Sequence, residues 1–418
     1  MEAETTRRSR RWLIWMDQLF FVAGGAIAVW LAWLTFQEGV IPGWQLLLLI
    51  VFWAMVAYLV LPRLHRILTS IYLPDYFIGR TRTADGLLGD PVNLALRGSE
   101  AQVHHAMVAA GWTRADELDL ASGWGIVANT VRRRSYPSAP VSPLFLFRRR
   151  QDFTYQQEVA GSPSRRHHVR FWRCPDGWLL PGGVAVDWLA AGTYDRSVGL
   201  SLFTFQVTHK IDAQVDVERD HIVATVVGAE PAVTHSVIDD FATGYHSRNG
   251  GGDLIVTDGD LPILDVSAVA AGADVVPEAG KPVNRRPFQT TFGVSMTALR
   301  GFILLWFAVL INTGLLELTD DPADQAAVQL VAVVTIAVLG FADLVLAVTT
   351  WFGANWSRLV LCALSLWSSA TVLATRVASG ETGPMHDALL PLAVTVLVLL
   401  ALSSAPARSF STRRRPAG

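Results

Sequence analysis

The polar middle of the chain offers histidine and arginine in RHHVRFWR at Arg166–Arg173, an aspartate in TYD at Thr193–Asp195, and histidine, aspartate and arginine together in THKIDAQVDVERD at Thr208–Asp220. Within them His168, Asp195, His209 and Asp212 are the candidate catalytic groups, and Arg170 and Arg219 the candidate binding groups. An imidazole beside a carboxylate can move protons near neutral pH or ligate a metal. A guanidinium offers a fixed fork of donors suited to a phosphate. In an extended RHHVRFWR segment, alternation puts His168, Arg170 and Trp172 on one face and His167, Val169 and Phe171 on the other. A hydrolase acting on a phosphoester or lipid-linked substrate predicts that His168, Asp195 and His209 meet in one pocket. The same residue types also cap turns and pair with neighbouring acids on ordinary surfaces, so both readings stand at this point.

Other chemistries are excluded by spacing. The chain has no His-Glu-x-x-His helix, no Gly-x-Ser-x-Gly elbow, no Walker loop and no Gly-x-Gly-x-x-Gly turn. Its two cysteines, Cys174 and Cys362, fall in a polar and an apolar region, which rules out a disulfide framework or a cysteine-rich metal site. The Asp258-Gly259-Asp260 turn lacks the remaining ligand spacing of a calcium loop. These spacings specify no cofactor, and whether a metal binds stays open.

The elements that must position these residues follow from periodicity. Ser99 with Gln102 forms a capping box ahead of Val103, Ala106, Met107 and Ala110 on one helical face, ending at Gly111. His104 and His105 ride on that helix as solvated or core-edge imidazoles. Strands are predicted at 144–147, 153–159, 167–173, 184–190, 198–207 and 262–266. Asp216 is the predicted N-cap of a helix bearing Ile222, Val223 and Val226, with His209 and Asp212 in the loop before it. A helix followed by closely spaced strands implies an α+β domain with a mainly antiparallel sheet.

Around this domain the chain is apolar: 51% of its 418 residues are hydrophobic and 17% charged, against about a quarter charged in soluble domains. Runs near 15–36, 44–61, 298–317, 327–350, 356–376 and 387–404 reach the roughly 20 residues a membrane helix needs. The expected organisation is an α-helical multi-pass membrane protein: a membrane hairpin over 1–62, a soluble domain over 63–269, a linker over 270–296 and a four-span bundle over 297–418. Arg7, Arg8, Arg10, Arg11, Arg63, Arg66, Arg80, Arg82, Arg285, Arg286, Arg300, Arg358 and Arg413–Arg415 fall on one side of these spans. Glu38, Glu317, Asp320, Asp321, Asp324, Glu381 and Asp387 fall on the other, with Arg376 against the trend. The positive-inside rule then makes both termini and the domain cytoplasmic, in a bacterial inner membrane. Trp12, Trp15, Trp44, Trp351 and Trp356 are expected anchors at span ends. Asp343 is the carboxylate expected inside a span, either a functional group or a helix–helix contact, and Asn312 is expected to be an interhelical contact. The bilayer is the expected partner, and Arg132–Arg134 and Arg148–Arg150 are candidate contacts to anionic headgroups. With Lys210 and Lys281 as its only lysines, the basic composition resembles GC-rich bacterial usage and points to no nucleic-acid partner. Protein partners are not specified.

The middle of the chain resembles the LssY C-terminal-domain family of bacterial membrane proteins. GDPVNLALRGSEAQ, SPLFLFRRRQDFTYQQ, RHHVRFW, the Trp188 to Asp195 spacing, THKIDAQVDVERD and GGDLIVTDG carry the resemblance, in order, from about 90 to 266. It implies an envelope or lipid setting, because such domains accompany membrane phosphatase or DedA-like domains. This chain lacks the phosphatase Pro-Ser-Gly-His, so no phosphatase activity is implied. Three function classes follow: a membrane-tethered binding or assembly module first, then a hydrolase, then a transporter component.

Overall fold

The computed structural model describes residues 2–72, 77–115, 141–159, 162–201, 204–242, 248–270, 286–316, 322–379 and 386–412. Arg132–Arg134, Arg285, Glu317, Asp320, Asp321, Glu381 and Arg413–Arg415 lie outside the described residues, as does most of the expected linker. The chain forms two compact units, one from Met1–Leu64 with Asn284–Gly418 and one from His65–Val283.

Two long helices open the chain, α1 (Glu2–Gly39) and α2 (Trp44–Tyr72). α2 runs eleven residues beyond the apolar stretch expected to end at 61, straight through Pro62. Proline has no N–H to donate and crowds the carbonyl four residues back. A π-helical turn at Val56–Val60 precedes it, and the Leu61 N–H reaches back to Val56 O. Arg63 is consequently a buried part of the first unit rather than a loose flanking charge. It donates to Phe21 O at 2.9 Å and to Ser403 Oγ at 3.0 Å.

The second unit is built on β1 (Arg80–Thr83), β2 (Leu88–Pro91), β3 (Leu94–Arg97), α3 (Glu100–Ala109), β4 (Thr113–Arg114), β5 (Leu144–Leu146), β6 (Arg149–Arg150), β7 (Phe153–Val159) and β8 (Ser162–Arg173). β9 (Trp188–Leu200), β10 (Val207–Ile211), α4 (Val215–Ala229), β11 (Thr234–Ile238) and β12 (Leu261–Asp265) complete it. β11-β12-β3-β9-β8-β7-β4 form the main sheet, and β10 pairs with the far half of β9. β2-β1-β5-β6 form a second, smaller sheet. The pairing is antiparallel except between β12 and β3, so the sheet is mixed but antiparallel in the main, as expected.

Ser99 caps α3 with the full capping box to Gln102. α3 and α4 cover one face of the main sheet over Leu96, Met107, Tyr155, Phe171, Trp188 and Ile222. On the other face Leu144, Leu146, Trp172, Leu189 and Ile263 form a second core with the small sheet. The result is three layers, helices, sheet and sheet, with the strand alternation of RHHVRFWR sending its residues to the two cores as the sequence indicates.

Two expected strands, 184–190 and 198–207, are replaced by β9 and β10. β9 runs unbroken through Gly192 and Asp195, which in sequence look like a turn. Gly192 keeps the strand flat against α4: a Cβ there would come within 2.3 Å of Ile222 Cδ1. His209 accordingly sits on a strand, not in a loop, and α4 begins after Gln214 rather than at Asp216. His104 is fully buried, its Nδ1 2.8 Å from the Tyr155 hydroxyl, which corrects the core-edge expectation; His105 is half-buried, 3.5 Å from Glu230.

The helices α5 (Phe288–Asn312), α6 (Pro322–Trp351), α7 (Asn355–Ser379), α8 (His386–Leu402) and α9 (Ala405–Thr412) complete the first unit. Among the described residues five helices are long and apolar enough to cross a membrane, or six if α8 and α9, bent by 58°, count as one span. Arg300, expected at a span edge, lies mid-helix on α5 and holds Asp343 of α6 through bonds of 2.7 and 2.8 Å. Asp343 is thus a helix–helix contact, one of its two expected roles, with Arg300 as its partner. Beside this pair Gly301 and Gly340 let the two backbones touch, since a Cβ on either would lie 2.8 Å from the carbonyl of the other. Trp12, Trp15, Trp44 and Trp356 are exposed on this unit, and Arg286 stacks over Trp351.

Candidate functional site

Cross-strand register builds the site. On β8 and β9, Arg166 faces Asp195 and His168 faces Thr193; on β7, Gln156 faces His168. All are buried on the face of the main sheet that meets the small sheet. Along β10 the register skips Arg196 between Lys210 and Ile211, a bulge in β9. The bulge turns His209 onto the Asp195 face, where simple alternation from its partner Val198 would have sent it away.

One carboxylate oxygen gathers this cluster. Asp195 Oδ2 accepts from Arg166 Nε at 3.0 Å, with His209 Nδ1 at 3.4 Å and His168 Nδ1 at 3.6 Å. His168 Nε2 lies 2.8 Å from Thr193 Oγ1. Deeper still, Arg170 donates to Asp90 of β2 at 2.7 Å and to Ser142 O at 3.2 Å. A cavity of about 250 Å³ opens over these residues, closed by Asp90, Ser142 and the Asn249–Asp253 loop. The Nδ1 atoms of His168 and His209 are buried without a hydrogen-bond partner among the described residues.

Burial dominates the electrostatics. It drives His168 well below its usual protonation range, and Arg170, Arg166, His209 and His167 push it the same way. It also lowers His209, against the pull of Asp195. Both shifts favour the neutral imidazole. His104 and His221 are lowered by burial too. For each, the folded value lies below the unfolded one, so the unfolded state binds more protons once pH drops under about 6.5. Stability of this unit is therefore greatest above about pH 6.5 and falls on acidification below it. Asp85, Asp90 and Glu218, raised by burial, oppose the trend. Thermal unfolding between pH 8 and pH 5.5 should show the midpoint falling below pH 6.5; a flat profile would contradict this.

Residues 70–261 match the family model described as the LssY C-terminus. The chain carries an LssY C-terminus domain. The match opens inside α2 and closes at the first residue of β12, so it takes in every residue of the cavity. No curated protein and no solved structure matches the chain.

Of the expected site residues, the LssY C-terminus domain brings together His168, Arg170, Asp195 and His209. Asp212 stays outside: it follows β10, and its Oδ1 accepts from the Gln214 N–H ahead of α4. Arg219 is also elsewhere, holding Asp258 through two bonds of 2.6 and 3.0 Å and thereby fixing the Thr257–Asp260 turn to α4. Asp216 completes that brace by accepting from Thr257 Oγ1 and the Asp258 N–H. Sequence reasoning missed Asp90, Gln156, Arg166 and Thr193. Arg166 had a readable signal, being two residues from His168 on the same strand face; Asp90, on another sheet, had none. Among the described residues no group of three or more histidine, cysteine or acidic side chains is arranged to hold a metal.

Proposed function

We propose that this is a membrane-spanning protein whose LssY C-terminus domain is a binding module, taking a small polar ligand in the cavity between its two sheets. The buried Nδ1 atoms of His168 and His209 at that cavity, left without a hydrogen-bond partner among the described residues, carry the reading; the convergence of His168, Asp195 and His209 is what a hydrolase predicts as well. A buried imidazole nitrogen with no partner is costly unless something else supplies one. The site is the first place to look for a ligand, being concave and lined by a few convergent polar groups. The apolar helices favour a bacterial inner membrane with the domain on the cytoplasmic side. Of the arginines behind that orientation, Arg63, Arg80, Arg300 and Arg358 are engaged inside the protein.

A second reading, membrane-anchored hydrolase, is favoured by one observation. Asp195 lies against Nδ1 of His209, the arrangement in which a carboxylate orients an imidazole as general base. The full chain in lipid nanodiscs, assayed for metal content and phosphoesterase turnover beside His209→Gln, separates the two. The binding module predicts ligand-dependent thermal stabilisation without turnover. Turnover abolished in a folded His209→Gln would install the hydrolase instead.

A further inference from the structure

The tautomer of His168 follows from its neighbours. The Asp90 carboxylate accepts from Arg170 at 2.7 Å and also from the Thr193 hydroxyl at 3.3 Å. That uses the single proton of Thr193, so its oxygen accepts from His168, whose Nε2 carries the hydrogen. Nδ1 of His168 is then a bare lone pair. It faces Asp195 Oδ2, another acceptor, at 3.6 Å. Two acceptors in a buried place repel each other until hydrogen-bond donors reach them.

Charge balance narrows the donor. Arg166 pairs with Asp195 and Arg170 with Asp90 in the lining, and the lining's Asp253 is matched by Lys210 from outside it, so the cavity has no surplus of positive charge in its lining. Asp85 at the rim faces His65 and Arg66. A phosphate would add net negative charge to a balanced enclosure. The Asn249–Asp253 loop cannot cradle one with its backbone either: the N–H groups of Gly251 and Asp253 go to Asn249 Oδ1, that of Gly252 to Asn249 O and that of Gly250 to Leu88 O.

Resting on the cavity as a ligand site, we propose that its ligand is a neutral polyhydroxyl compound, one of whose O–H groups donates to His168 Nδ1 while a neighbouring O–H donates to Asp195 Oδ2. His168→Gln isolates this contact. The longer amide keeps a donor at the Nε2 position for Thr193 and deletes the Nδ1 acceptor. Glycerol, glucose and myo-inositol, with inorganic phosphate and methylammonium for comparison, are titrated into the full chain in nanodiscs and followed by calorimetry and thermal shift. At least one polyol is expected to bind, at least ten-fold more weakly to His168→Gln, while phosphate and methylammonium are inert. Nitrogen-15 spectra of the histidine-labelled wild-type chain give a readout independent of the variant's folding: a protonated Nε2 and a bare Nδ1 that shifts with the polyol. Phosphate or methylammonium binding in place of polyols, or polyol binding unaltered by His168→Gln, overturns the ligand class and leaves the cavity as a site. No binding by any probe overturns the class and the binding module together.

Discussion

Asp195→Ala is expected to lower the stability of the LssY C-terminus domain by about 3–5 kcal/mol, the cost of removing one partner of a buried ion pair. Asp195 and Arg166 are 2% and 4% exposed, so solvent cannot take over the lost charge. Deleting the carboxylate leaves the Arg166 guanidinium with Gln156 Oε1 at 3.1 Å but without Asp195, and strips two imidazoles of their common neighbour. Amide hydrogen exchange on the full chain, read across β8 and β9, measures the loss. Arg166→Met added to Asp195→Ala should recover much of it, because an uncompensated buried charge is worse than no pair. Wild-type protection in Asp195→Ala would mean that the carboxylate is dispensable to the sheet.

Arg358→Ala is expected to cost the helical unit a similar amount, about 3–5 kcal/mol. Arg358 is fully buried and ties three helices together. From α7 it donates to Asp17 of α1 at 2.7 Å, to Leu402 O at the end of α8 at 3.0 Å and to Asn355 Oδ1 of its own helix at 2.8 Å. The Leu402 carbonyl is one of the four orphan acceptors that end a helix, here at the bend into α9. Alanine leaves that acceptor and the Asp17 carboxylate without their donor. Detergent-driven unfolding followed by helix content checks the prediction, and Asp17→Asn in the same background should recover part of the loss. An unshifted midpoint would show the pair to be ornamental.

Sequence carried the local physics well and the long-range physics poorly. The capping box at Ser99, the two-faced RHHVRFWR strand and the apolar helices are set by neighbours in the chain, and each has the form expected. β9 was hidden because Gly192, Asp195 and Arg196 have turn-like composition; the strand survives because Asp195 is paired inside the site and Gly192 admits Ile222. The bulge that turns His209 inward depends on the pairing of two strands, which no single segment encodes. Arg63, Arg300 and Arg358 read as span-edge charges because an arginine near a helix end ordinarily reaches water. Their buried acceptors lie up to 341 residues away, so nothing local announced them.

The most direct test of the cavity as the working part of this protein is an experimental map of the full chain in lipid, sharp enough to resolve side chains around His168. The account predicts density for a non-protein group within hydrogen-bonding distance of His168 Nδ1 and Asp195 Oδ2, with Thr193 on Nε2. A closed cavity in which His168 Nδ1 bonds directly to a protein donor would contradict it.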